Sequence, residues 1–194
     1  MMRKIAAHYW LRPDASIGKF PIITLNDDHT IVEIRERDTF QEEAALELIN
    51  GLLVPGLVDF YSLSPNARQE LDIRKYLNRF IIGGVKALAV PKDQMKIVRA
   101  ANRSRDLYLH PVDQVFYDDG EEMGFGKIQQ AGDSLKELLQ LTRGNATCLG
   151  IDYRYGTLEV GKCPGILAIS NLCYETLSIN RDSRLRLIVE SMAL

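Results

Sequence analysis

The sequence predicts an α/β protein in which strands from the two ends of the chain form a β-sandwich and a small α/β segment is inserted between them. Three observations carry this. The N-terminal part reads as short apolar strands separated by polar turns. From Pro65 the pattern takes a helical period and then runs into a fully apolar strand. From Ile151 it returns to strand-like pieces. The resulting boundaries are 1–57 with 150–194 for the sandwich and 58–149 for the insert.

Residues 3–11 place Ile5, Ala7, Tyr9 and Leu11 on one parity, the pattern of a strand with one buried face. Arg12-Pro13-Asp14 ends it, and the polar stretch to Gly18 reads as a loop. Residues 20–25 and 30–34 form a hairpin about the polar turn Asn26-Asp27-Asp28-His29, with Ile31 suited to either face. Residues 35–43 are heavily charged and suit an exposed connection. Residues 44–49 read as either one helical turn or a strand against Leu52, Leu53 and Val54.

In the insert, Ser64 with Pro65 opens a helix, or Asp72 caps a shorter one. Leu71, Ile73, Leu77, Phe80 and Ile81 form its apolar face, and Gly83-Gly84 stops it. VKALAV, 85–90, is then a buried strand, completing a strand-helix-strand unit. Residues 91–105 are a short helix with Met95, Ile97, Val98 and Ala101 inward, or else an irregular basic segment. Residues 107–109 and 112–117 read as two strands separated by His110-Pro111, and Asp118-Asp119-Gly120-Glu121-Glu122 as an acidic turn. Asp133 or Ser134 caps a helix through Leu135, Leu138, Leu139 and Leu141 that ends near Arg143-Gly144. Residues 145–149 are a turn or short helix stopped at Gly150. Strands are expected over 157–160, 165–169 and 185–189, with a further one at 173–177.

Composition excludes several classes. Lysine plus arginine number 24 against 26 aspartates plus glutamates, a formal charge of −2, which leaves no broad basic face for nucleic acid. The three cysteines form no CxxC pair, and an odd count argues against a secreted disulfide framework. No segment reaches the roughly 18 consecutive apolar residues of a membrane span, and MMRKIAAHYWLRPD lacks a signal-peptide core. A soluble cytoplasmic protein is the expectation.

The stretch GLLVPGLVDFYSL, 51–63, runs an apolar strand through Pro55-Gly56 into Leu57-Val58-Asp59. It resembles the opening of the metal-dependent amidohydrolases, the superfamily of dihydroorotases, cytosine deaminases and chlorohydrolases. There a strand leaves a small β-sandwich, passes a Pro-Gly turn and becomes the first barrel strand, ending in Asp-x-His-x-His. Gly84-Val85-Lys86-Ala87 occupies the place of the second barrel strand. NATCLG, 145–150, followed by YGTLEVGK, 155–162, and PGILAI, 164–169, resembles the family's return from barrel to sandwich, with Gly156 and Gly161 permitting a hairpin of positive φ or a close approach. The two regions cover 1–63 and 135–194.

The resemblance implies a barrel that hydrolyses amide-like bonds with metal-activated water. Residues 60–144 make only 85 positions, whereas a closed barrel domain usually needs about 250 residues. The expectation is therefore a small α/β insert in place of the TIM barrel. Tyr61 and Leu63 stand where the first two metal-binding histidines would be, and neither suits zinc. Only His8, His29 and His110 exist, with no metal-binding spacing.

Asp59 reads either as a strand-end carboxylate satisfied by backbone N–H groups or as a functional residue. A residual cleft using Asp59, Tyr61, His110 or Asp119 is the enzymatic alternative. Ser62 and Ser134 have no histidine nearby in sequence, and Cys148 and Cys163 read as small buried or half-buried side chains. Arg181, Arg184 and Arg186 mark an anion patch or a charge-protected edge strand. The reading is of a non-catalytic amidohydrolase-like chain with no metal and no cofactor. Strand edges exposed by barrel truncation are expected to make it a homo-oligomer, with a small-molecule or protein partner as the alternative.

Overall fold

The computed structural model describes residues 2–39, 45–61, 70–102, 107–113, 122–173 and 175–191. In chain order the elements are β1 (Arg3–Leu11), β2 (Ile17–Lys19), β3 (Pro21–Leu25), β4 (Ile31–Glu36), β5 (Leu46–Pro55), β6 (Leu57–Phe60), α1 (Glu70–Ile82), β7 (Val85–Pro91), α2 (Met95–Ala101), β8 (Tyr108–Val112), α3 (Phe125–Gln130) and α4 (Ser134–Leu139). A π-turn over Gln140–Gly144 leads into α5 (Asn145–Cys148), followed by β9 (Ile166–Ser170) and β10 (Arg184–Val189). The fold is α/β. A mixed seven-stranded sheet, ordered β10-β9-β5-β1-β3-β4 with β2 on β1, joins strands from both ends of the chain. A parallel sheet, β6-β7-β8, carries the helical insert, and no closed barrel occurs among the described residues.

The mixed sheet curls around one apolar face, which makes it sandwich-like. Ile5, Ile23, Ile31, Ile49, Leu53, Ile166, Ala168 and Val189 form a single cluster although they span the sheet from β4 to β10. The loop ahead of β9 closes on the far side: Gly161 N–H donates to Ile31 O at 2.8 Å and Ile31 N–H to Lys162 O at 2.9 Å. Alternate residues of the same strands, among them Leu52, Val54, Leu167 and Ile169, face a second cluster shared with α1 through α4. Period-2 alternation thus feeds two cores at once.

Several expectations change in the structure. Residues 46–55 form one continuous strand, in place of a helical turn or of a strand set against Leu52, Leu53 and Val54, because Gly51, at φ +117°, bulges within the strand instead of reversing it. Opposite it the β1 ladder shifts register between Ala7 and Tyr9, so the parity of β1 breaks: Ile5, Ala7 and Trp10 face one cluster, Leu11 the other. The polar stretch before Gly18 contributes β2, paired with β1. Residues 157–160 form an irregular connection, not a strand; the positive φ of Gly156 and Gly161 is present, but the hairpin is not. At 173–177 the described residues show an isolated bridge, Cys173 to Ser178, and no strand. His110 and Pro111 lie inside β8 instead of separating two strands, because Pro111 sits at the sheet's outer edge, where no N–H is required. The rest of that reading, 114–117, falls outside the described residues, as does the Ser64 cap. Ile97 points outward at 40 % exposure, whereas Val98 and Ala101 are buried. Asp133 is the cap, its carboxylate accepting the Lys136 N–H at 3.0 Å. Gly144 does not end that helix, which passes through the π-turn to Cys148.

That π-turn positions a residue of consequence for the parallel sheet. Tyr61 N–H bonds to Ala89 O at 2.7 Å, so the backbone groups of Val58 and Phe60 face away from β7, along an open edge. The Phe60 N–H is taken by Asp59 Oδ1, and Asn145 Nδ2 donates to Val58 O at 2.7 Å. Asn145 is itself fixed by Gln140, whose Nε2 donates to Asn145 Oδ1 at 2.8 Å. A helix side chain thereby closes an edge that a further strand would otherwise close. Asn145→Ala is expected to lower the unfolding free energy by about 2 kcal/mol, the cost of an unmet buried carbonyl plus a lost contact, measured by urea denaturation.

Candidate functional site

The ends of the three parallel strands hold the residues with the strongest claim to chemistry. Their register places Asp59, Leu88 and Leu109 in one row and Phe60, Ala89 and His110 in the next. Residues of one row share a face and adjacent rows alternate. Asp59 and His110 therefore lie on opposite faces of the sheet.

Asp59 is 1 % exposed and fully engaged. Its Oδ1 accepts the Phe60 N–H at 2.8 Å and the Lys127 ammonium at 2.9 Å, and its Oδ2 accepts the Gly124 N–H at 3.0 Å. Both oxygens are directed at donors supplied by β6 and α3. Lys127, largely buried, supplies the positive charge that a buried carboxylate needs. The strand-end role with backbone N–H partners is the geometry seen, with an added ion pair that the sequence reading did not contain. The signal available in sequence was the Gly124-Phe125-Gly126-Lys127 run, a turn opening a helix with a lysine in its first turn.

Tyr61 is fully buried and packs edge-to-face on Tyr76 at 5.5 Å, and Tyr76 packs likewise on Phe80 at 5.3 Å. Its hydroxyl has no hydrogen-bond partner among the described residues, and burial pushes its pKa well up. It is a neutral phenol. Position 63, the second ligand place in the resemblance, lies outside the described residues, as do Ser62, Asp118, Asp119 and Glu121. The Ser134 hydroxyl accepts the Ile179 N–H at 3.1 Å and fastens the loop before β10.

On the other face His110 is half-buried beside Tyr108, ring centres 6.2 Å apart, and burial lowers its pKa. Tyr108 stacks on Tyr155 at 5.6 Å, and the Arg154 guanidinium lies 5.6 Å from the Tyr155 ring centre. Tyr155 is 1 % exposed with an unpartnered hydroxyl, pushed up to about 12 chiefly by burial. His8 lies in β1 and His29 in the turn before β4, so the three histidines are dispersed over separate elements. Cys163 is buried and donates to Asp28 O at 3.6 Å, whereas Cys148 is exposed, contrary to the buried or half-buried expectation, because it falls on the last turn of α5 facing solvent. Arg184 and Arg186 are on β10, the edge strand of the mixed sheet.

These residues do not fit a divalent metal centre. Among the described residues no group of three or more histidine, cysteine, aspartate or glutamate side chains is placed to hold one. The carboxylate at the strand end is already neutralised by Lys127, and the residue two positions on is a phenol in an aromatic cluster.

No family model matches this sequence, and neither does any curated protein. Solved structures give distant matches only. Aspergillus niger ochratoxinase has a TM-score of 0.43 at 10 % identity, over 57 % of this chain and 30 % of that one. Helicobacter pylori aminofutalosine deaminase gives 0.42 at 11 %, over 61 % and 36 %. Guanine deaminase from Bradyrhizobium japonicum gives 0.40 at 9 %, over 57 % and 35 %. The chain spans about a third of the length of these structures.

Two buried hydroxyl or carboxyl groups should respond oppositely to removal. Asp59→Asn removes the buried carboxylate charge that meets the Lys127 ammonium and should cost about 2–3 kcal/mol in denaturant unfolding, while Tyr155→Phe removes a buried hydroxyl with no partner among the described residues and should leave stability unchanged or higher. For His110, the unfolded chain takes up a proton near the ordinary value of 6.5 and the folded chain resists it. The stability that His110 contributes is therefore present above 6.5 and is lost as pH falls toward the folded value. His110→Asn should lose less stability than the parent between about pH 7.5 and about pH 5, read from urea midpoints.

Proposed function

We propose that this chain is a non-catalytic, amidohydrolase-like cytoplasmic protein with a structural or interaction role, and that it acts by associating with a second copy of itself. The observation that carries the reading is the saturation of Asp59 by Phe60, Gly124 and Lys127. Three of the roughly four acceptor sites of this carboxylate are taken, one of them by an ammonium, which makes it a poor metal ligand and a weak base toward water. Association draws support from the sheet edges. The β6 edge is closed internally by Asn145, while β8 is the outermost strand at the other side of the parallel sheet among the described residues.

A second reading, a small-molecule hydrolase or ligand-binding protein with a cleft near Asp59 and Tyr61, is favoured by one observation, the buried hydroxyl of Tyr61, which has no partner among the described residues. Ligand retained through native mass spectrometry without turnover would favour the binding form of it.

Size-exclusion chromatography with light scattering at micromolar concentration is expected to return twice the chain mass. A strict monomer removes the association. Metal analysis after chelator-free purification is expected to give far less than one zinc, iron or manganese per chain, and a stoichiometric metal would overturn the non-catalytic reading.

A further inference from the structure

Lys86 is the second residue of β7, among Val85, Ala87, Leu88, Ala89 and Val90, all fully buried, and it is 1 % exposed itself. Its stem occupies space that two glycines leave open. A Cβ on Gly56 would stand 2.5 Å from Lys86 Cγ, and one on Gly165 would stand 3.3 Å from it. The ammonium then meets Glu190, with Nζ to Oε2 at 2.6 Å. The two ends of this pair are unequal: the lysine side chain is 2 % exposed and the glutamate 40 %.

Glu190 directly follows β10, whose described sheet partner is β9 alone. β10 is the outer strand of the mixed sheet, and Lys86 belongs to the parallel one, so the pair joins two sheets that share no ladder. The opposite end of β10 is held separately. Gln129 Nε2 reaches Asn180 O, Arg181 O and Ser183 O at 3.3, 3.2 and 3.0 Å, fixing the connection that leads into the strand. Near its C-terminal end β10 is also held by Val189, paired with Ile166 and buried in the sheet's apolar cluster, and by Arg3 Nη1, which donates to Ile188 O at 3.0 Å while Arg3 is shared with Glu47.

We propose that the Lys86–Glu190 pair is a one-sided latch that holds the C-terminal end of β10 against the parallel sheet, and that β10 opens from this end as a unit when the glutamate lets go. The asymmetry follows from desolvation. With β10 closed, the Lys86 side chain is 2 % exposed and its ammonium meets the Glu190 carboxylate, whereas lifting the end of the strand admits water to it, so a closed state without the carboxylate is penalised more than one without the lysine. The half-exposed glutamate, released, is solvated at little cost. Opening from the Glu190 end uncovers the outward edge of β9, a row of backbone groups able to pair with another strand, while Gln129 keeps the strand tethered.

The test is native-state hydrogen exchange on the full chain, comparing the parent with Lys86→Met, Glu190→Gln and the double variant. Glu190→Gln should speed exchange of the β10 amides bonded to β9 at least about tenfold relative to those of β1 and β3. Lys86→Met should change them less than about threefold, and the double variant should behave like Lys86→Met. Equal effects of the two single variants, or a rise after Glu190→Gln that is as large in β1 and β3 as in β10, would overturn the latch. Should Glu190→Gln fail to fold, recovery of folding by the added Lys86→Met supports the same asymmetry, and failure of the double variant to fold refutes it.

Discussion

The Val58 carbonyl faces the open side of β6, and the Asn145 amide meets it at 2.7 Å. A parallel sheet of three strands must dispose of two edges. At this edge the backbone groups of Val58 and Phe60 are answered by side chains, one from a helix some ninety positions later and one from Asp59. The π-turn at Gln140–Gly144 belongs to the same solution, since it brings Gln140 and Asn145 into contact and orients the amide. Without that closure the insert would present an unpaired strand to water, and the helical run over residues 134–148 would lose its seat on β6.

Asp59 connects this edge to the interior on the α3 side. By accepting from Phe60 it completes the edge, and by accepting from Gly124 and Lys127 it fixes the start of α3 against the strand end. Its geometry is therefore that of a positioning group inside a packed sheet. The aromatic series Tyr61, Tyr76 and Phe80 fills the space beyond it, and His110 is kept on the other face by the register of β7 with β8. Polar groups that were adjacent in a sequence-based list of candidates are thus divided by a layer of backbone.

Much of the architecture was legible in residue pattern alone. The strand character of β1, β3 and β4, the buried run of β7, the Asp133 cap and the glycine pair after α1 each state a local preference that packing did not override. The failures share a cause. The bulge at Gly51 depends on the neighbouring strands; Gly156 and Gly161 permit a hairpin, but loop contacts with β4 hold that segment out of a ladder. Pro111 reads as a break until its place at an edge is known.

By itself the sequence determined most of the strands and helices and that both ends of the chain share a sheet. It could do so because side-chain period and residue type are properties of the chain. Only tertiary structure decided that Lys127 neutralises Asp59, that Asn145 closes β6, that Glu190 answers Lys86, and that His110 faces away from Asp59. Those pairings join residues far apart in sequence, and strand register and helix placement, which no local pattern encodes, set which side chains meet.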